Sequence, residues 1–154
     1  MSRRLTRRSI FKALYSFNIV DFEDIDKIVD ESLKEDHIFW IDEEDNDKYL
    51  FHTINKRDIE FFVQIVKGTM DNIGEIDKTI EKNLRSWKME RIAKVDLIIL
   101  RMAIYEILYR DDIPYSVTIN EAVELGKIYG TDDSGGFING VLGRIVKGMD
   151  EKGD

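Results

Sequence analysis

Residues 91–109 read Arg-Ile-Ala-Lys-Val-Asp-Leu-Ile-Ile-Leu-Arg-Met-Ala-Ile-Tyr-Glu-Ile-Leu-Tyr. On a helix drawn through this stretch, Ile92, Val95, Leu97, Ile98, Ile99, Leu100, Met102, Ile104, Ile107 and Leu108 fall on nearly every face. A helix that is apolar all round lacks a solvent side and belongs at the centre of a helical core. Arg101 and Glu106 interrupt the pattern. An unpaired charge inside a core is costly, so each needs a partner, and Glu106 has two candidates: Arg101 and the start of the following helix. Pro114 closes the segment, because the residue before a proline is pushed out of helical dihedrals.

Working outward, Thr118-Ile-Asn-Glu121 reads as a capping box, with Thr118 accepting from backbone N–H groups and Glu121 reaching back. The helix it opens carries Ile119, Ala122, Val123 and Gly126 on one side, and Gly130 is placed to cap its C-terminus. A last helix begins near Ser134 and packs through Phe137, Val141, Leu142, Ile145 and Met149. Upstream, Ile10, Leu14 and Phe17 mark one amphipathic stripe, Ile25, Ile28, Val29 and Leu33 a second, and Ile59, Phe62, Val63, Val66, Met70 and Ile73 a third. A short helix around 77–84 leads to Trp87. Seven helical segments and no strand predict an all-α protein. A chain of 154 residues buries roughly two-thirds of its unfolded surface, enough for one compact domain.

The chain has no cysteine, which removes disulfides, cysteine nucleophiles and thiolate zinc sites, and only His37 and His52 as imidazoles. No metal site, cofactor or catalytic residue is expected. Glu90, Asp96, Glu106, Glu121 and Glu124 are more cheaply read as helix-face charges, caps and ion pairs than as a general acid and base. The longest apolar runs, such as Leu97 to Leu100, reach four residues, far short of the ~18 of a spanning helix. Lys12, Asn18 and Asp21 break up what an export signal would need as its apolar run. A cytoplasmic protein without a membrane partner is the expectation.

The net charge of −8 argues against nucleic acid only as an average. Residues 1–20 carry +5, residues 21–55 carry −10, and residues 56–154 carry −3. Arg3, Arg4, Arg7, Arg8 and Lys12 open the first helix. Arg7 and Arg8 lie one turn after Arg3 and Arg4, a spacing suited to a phosphate-contacting strip, and Tyr15 offers a ring for an unpaired base. A solvated helix end is the plainer alternative. In Asp132-Asp133-Ser134-Gly135-Gly136-Phe137 the glycines precede a helix without matching a P-loop or dinucleotide fingerprint. Backbone donors that suit a phosphate, or a turn and cap with Phe137 in the core, both satisfy that pattern. The acidic stretch through Asp42-Glu43-Glu44-Asp45 reads as a solvated loop.

Three blocks resemble the NusB family of transcription antitermination factors: Asp96 to Ile107, Ile113 to Leu125, and Phe137 to Leu142, together with Arg7 through Tyr15. The resemblance implies two packed helical subdomains, about 1–75 and about 76–149, and gives no role to the acidic loop read from composition at about 35–50. It implies a non-catalytic adaptor that binds boxA-type RNA together with NusE, a ribosomal small-subunit protein, within the RNA polymerase antitermination complex. Position by position, RNA contacts map to Arg3, Arg4, Arg7, Arg8, Tyr15, Asp133 and Phe137, beside Lys12 of the same basic head. Partner-facing acids map to Glu90 and Asp96. A homodimer is left open. Without RNA, the same helical frame reads as a protein–protein interaction module.

Overall fold

The computed structural model describes residues 3–16, 56–85 and 88–152; the helix expected at 25–33, the acidic loop, Phe17 and Trp87 lie outside them. Among the described residues there are six α-helices and no strand: α1 (Arg3–Ser16), α2 (Lys56–Asp71), α3 (Ile73–Lys82), α4 (Lys94–Tyr109), α5 (Tyr115–Tyr129) and α6 (Ser134–Lys152), with a 3-10 turn at Met89–Arg91 before α4. The chain divides into two compact units, Met1–Val66 and Lys67–Asp154.

In the first unit the buried face of α1 runs through Arg7, Ile10 and Leu14, at steps of three and four, with Thr6 and Phe11 flanking it. On α2 the buried set is wider than the stripe read from sequence. Phe61 and Ile65 join Ile59, Phe62 and Val66, whereas Val63 is only half-buried.

In the second unit α4 is the helix on which the others converge. Ile99, Leu100 and Ile104 are fully enclosed, Ile98, Met102, Ala103 and Ile107 nearly so, and α3, α5 and α6 all pack on it. Its ends return to solvent, where Tyr109 stacks on Tyr105 with ring centroids 4.7 Å apart. Asn72 separates α2 from α3 and donates its side-chain amide to the Gly68 carbonyl at 2.8 Å. The helix expected around 77–84 thus starts earlier, at Ile73, and buries Ile76 and Ile80. Close approach is required at several glycines, among them Gly68 and Gly126. A Cβ on Gly68 would run into the Tyr105 ring, and one on Gly126 would come within 2.8 Å of Ile138 Cδ1, where α5 crosses α6.

The two charges that interrupt the apolar pattern of α4 are both partnered. Arg101 grips Asp77 on α3 through two hydrogen bonds of 2.9 Å. Glu106, 2% exposed, accepts from the Thr118 hydroxyl at 2.9 Å, so the second of its two candidate partners, the start of the next helix, is the one used. This overturns the capping-box reading. Helix α5 begins three residues before Thr118, after Pro114, and the hydroxyl meant for a backbone cap instead serves a buried carboxylate. Pro114 costs α5 nothing, since the first N–H groups of a helix lack intrahelical partners. At the other end, Gly130 stands at the C-cap with φ −99° and ψ −155°, an extended rather than left-handed cap, and its N–H bonds the Gly126 carbonyl.

The Glu106–Thr118 bond sets a stability prediction. Replacing Thr118 with valine keeps the volume but removes the donor, leaving a buried carboxylate short of a hydrogen bond, at a cost of about 1–3 kcal/mol. Urea denaturation of Thr118→Val should show that loss as a lower midpoint with an unchanged slope.

Candidate nucleic-acid and partner interface

The arginine cluster of α1 is divided by the helix itself. Arg3 and Arg7 share the stripe of Ile10 and Leu14, and both lie over the Phe61 ring, with guanidinium carbons 3.9 Å and 5.5 Å from its centroid. Arg7 is only 4% exposed. Arg4, Arg8 and Tyr15 follow at steps of four and seven on the neighbouring face. Arg4 is exposed, Arg8 half-buried, and Tyr15 39% exposed, its ring tilted against Phe11 at 5.8 Å. Lys12 is half-buried. A cation over an aromatic face is worth about 0.5–2 kcal/mol depending on desolvation, so Arg3 and Arg7 contribute to the packing of the first unit as well as to its charge. The three- and seven-residue spacing of Arg7 from Ile10 and Leu14 is the sequence signal for its burial.

The second unit collects the other sequence-predicted residues. A cleft of about 260 Å³ is lined by Arg91, Ile92, Ala93, Asp96, Asp133 and Phe137. Its walls come from the 3-10 turn, the first turn of α4 and the start of α6. The chain reaches α6 through a tight turn in which the Thr131 N–H donates to Ser134 Oγ at 3.0 Å and the Ser134 N–H returns to the Thr131 carbonyl at 3.1 Å. That turn holds Asp133 exposed just ahead of the helix and sets Phe137, half-buried, one turn in. Asp133 and Phe137, expected at RNA, and Asp96, expected at a protein partner, therefore share one cleft. Glu90 is exposed on the 3-10 turn and does not line it. Arg91, its neighbour, does, and sequence reading passes over it although it adjoins the central helix.

Asp96 stands out electrostatically. It is 9% exposed, and its Oδ1 is buried without a hydrogen-bond partner. As the third residue of α4 it sits at the positive end of the helix dipole, which favours a carboxylate. Gly135 and Gly136 face away from this cleft. They border a separate groove of about 450 Å³ with Asn120, Lys127 and Asn139, and the Lys127 ammonium lies 3.4 Å from Glu124.

Comparison with known proteins places these features in a family. Residues 4–147 match the model of the NusB family. The chain is 44% identical over 147 residues to the transcription antitermination protein NusB of Acetivibrio thermocellus, covering 96% of this chain and 90% of the relative. It is 42% identical to that of Finegoldia magna, covering 96% and 95%. Among solved structures it is similar to NusB of T. maritima, with a TM-score of 0.74, 35% identity and coverage of 96% and 92%. It is also similar to a chain in the crystal structure of antitermination factors NusB and NusE in complex with dsRNA, with a TM-score of 0.70, 26% identity and coverage of 95% and 96%.

The orphaned Asp96 oxygen yields a prediction about the free protein. An unsatisfied buried acceptor costs about 1–3 kcal/mol, against about 0.3–1 kcal/mol gained from the dipole. Asp96→Ala should therefore leave the melting temperature of the isolated protein unchanged or raise it. A loss of more than about 1 kcal/mol in thermal unfolding would show that the carboxylate has a structural role instead.

Proposed function

The chain belongs to the NusB family, and from that premise we propose that it is a transcription antitermination factor acting as a non-catalytic adaptor. It binds boxA-type single-stranded RNA together with NusE, the ribosomal small-subunit protein, and promotes read-through by RNA polymerase, notably in ribosomal RNA operons. Its place of action is the cytoplasm, where transcription and its RNA product are found. No helix among the described residues is long and apolar enough to cross a membrane.

The observation that carries the reading is the cleft that gathers Asp133, Phe137 and Asp96 in a chain so similar to antitermination proteins. Arg4 and Arg8, with Lys12 and Arg3, supply phosphate contacts from α1. Arg7, buried against Phe61, holds the helix that presents them. Tyr15 and Phe137 offer ring faces to unstacked bases, and Asp133 accepts from base N–H groups. Phosphate contacts give affinity and the rings and carboxylate give selectivity. Glu90, exposed, and Asp96, with an acceptor awaiting a donor, suit a basic ribosomal protein.

Arg4→Ala with Arg8→Ala should weaken boxA-type RNA binding in the presence of NusE. The slope of log affinity against log salt should fall by about 0.7 for each phosphate of the single strand that these arginines neutralise. Fluorescence anisotropy across a salt series, with a scrambled RNA as control, reads both quantities. An unchanged slope removes these arginines from the interface, and equal binding of boxA-type and scrambled RNA at moderate salt favours a protein-interaction module instead.

A further inference from the structure

The cleft of the second unit holds a cation to which the proposed function gives no task. Arg91 ends the 3-10 turn, is exposed, and makes no ion pair or hydrogen bond through its side chain among the described residues. Other arginines of this unit are tied into the fold: Arg101 to Asp77, Arg110 to Asp112 at 2.8 Å, and Arg144 to the Asn83 carbonyl at 2.9 Å. Arg91 stands instead in the wall shared with Phe137, Asp96 and Asp133, and pairs with neither acid.

The distribution of charge over this wall is polar in a way that selects an orientation. Two carboxylates line the cleft, one of them buried with an oxygen lacking a donor, so an anion inside it meets repulsion and an N–H edge meets acceptors. The half-buried Phe137 ring offers an apolar face to a planar group. At about 260 Å³ the space lies below the range of about 300–1,000 Å³ usual for drug-sized ligands, and suits one planar group better than several. A nucleotide combines a planar ring with N–H donors and a phosphate on its outer side.

We propose that Arg91 is an RNA-binding residue, contacting the phosphate of one nucleotide seated base-inward in this cleft, with its base against Phe137 and its donor edge toward Asp133. The proposal rests on the RNA-binding reading and adds to it a contact and an orientation. A guanidinium fork matches phosphate oxygens, whereas a lysine at the same place preserves charge without the two-point geometry.

The test compares Arg91→Ala, Arg91→Lys and Phe137→Ala, each titrated with boxA-type RNA in the presence of NusE across a salt series. A set of RNAs with a single neutral methylphosphonate linkage is titrated alongside. Arg91→Ala should weaken binding several-fold and lower the salt slope by about 0.7, and Arg91→Lys should restore most of the slope. One methylphosphonate position should weaken the unmodified protein and have no further effect on Arg91→Ala. If Phe137→Ala weakens RNA binding while Arg91→Ala changes neither affinity nor slope, Arg91 is not a contact and the RNA reading stands without it. If neither substitution affects RNA, the cleft is not an RNA site and the reading itself falls. Weakened NusE binding by Arg91→Ala with RNA affinity intact would assign the residue to the protein interface and overturn the proposal.

Discussion

The packing of α4 against three other helices is the constraint from which the second unit follows; only the face through Leu97, Arg101 and Leu108 stays half-buried. Deep in a helix packed against three others an ionisable side chain needs a partner, because stranding one member of a buried polar pair is far more costly than forming the pair is favourable. Arg101 therefore ties α4 to α3 through Asp77, and Glu106 ties it to the first turn of α5 through Thr118. These two connections fix the rotation of α4 about its axis. The same rotation leaves Asp96, ten residues before Glu106, on the wall of the cleft that the start of α6 completes.

The buried charges thus divide into two kinds. Glu106 is buried and satisfied, and the half-buried Arg101 is satisfied as well; the buried oxygen of Asp96 is unsatisfied, and Asp96 lines a cleft with Asp133, Phe137 and Arg91. Unsatisfied polar groups are uncommon in native interiors, and where they persist a ligand or partner is a natural source of the missing bond. The first unit shows a parallel division along one helix. Arg3 and Arg7 turn toward Phe61, and Arg4 and Arg8 lie on the next face with Tyr15. A net charge of −8 and a role at RNA are compatible because the electrostatic footprint is local: phosphate contacts are short-ranged under physiological screening, at a Debye length of about 8 Å.

Much of this is legible in the chain alone. Periodicity locates α1, α2, α4, α5 and α6, since a 3.6-residue repeat of apolar side chains depends only on residue order, and the all-round apolar character of 91–109 marks the central helix. The resemblance in Asp96–Ile107, Ile113–Leu125 and Phe137–Leu142 points to the family that the similar proteins then show. Thr118 departs from its sequence reading because a local motif and a long-range partner compete for one hydroxyl. Spacing of Ser or Thr before Glu is visible in sequence, whereas the buried carboxylate twelve residues back becomes a neighbour only when α4 and α5 pack.

The sequence by itself determined that α1, α2, α4, α5 and α6 are helical, which helix is central, and that the positive charge is concentrated in the first twenty residues, because each depends on residue type and spacing. Tertiary structure alone decided which partner Glu106 takes and that Arg91, Asp96, Asp133 and Phe137 line one cleft. Those outcomes depend on the rotation and crossing of helices. Side chains some forty residues apart in the chain, such as Asp96 and Phe137, meet there because close packing admits few arrangements and buried charge restricts them further.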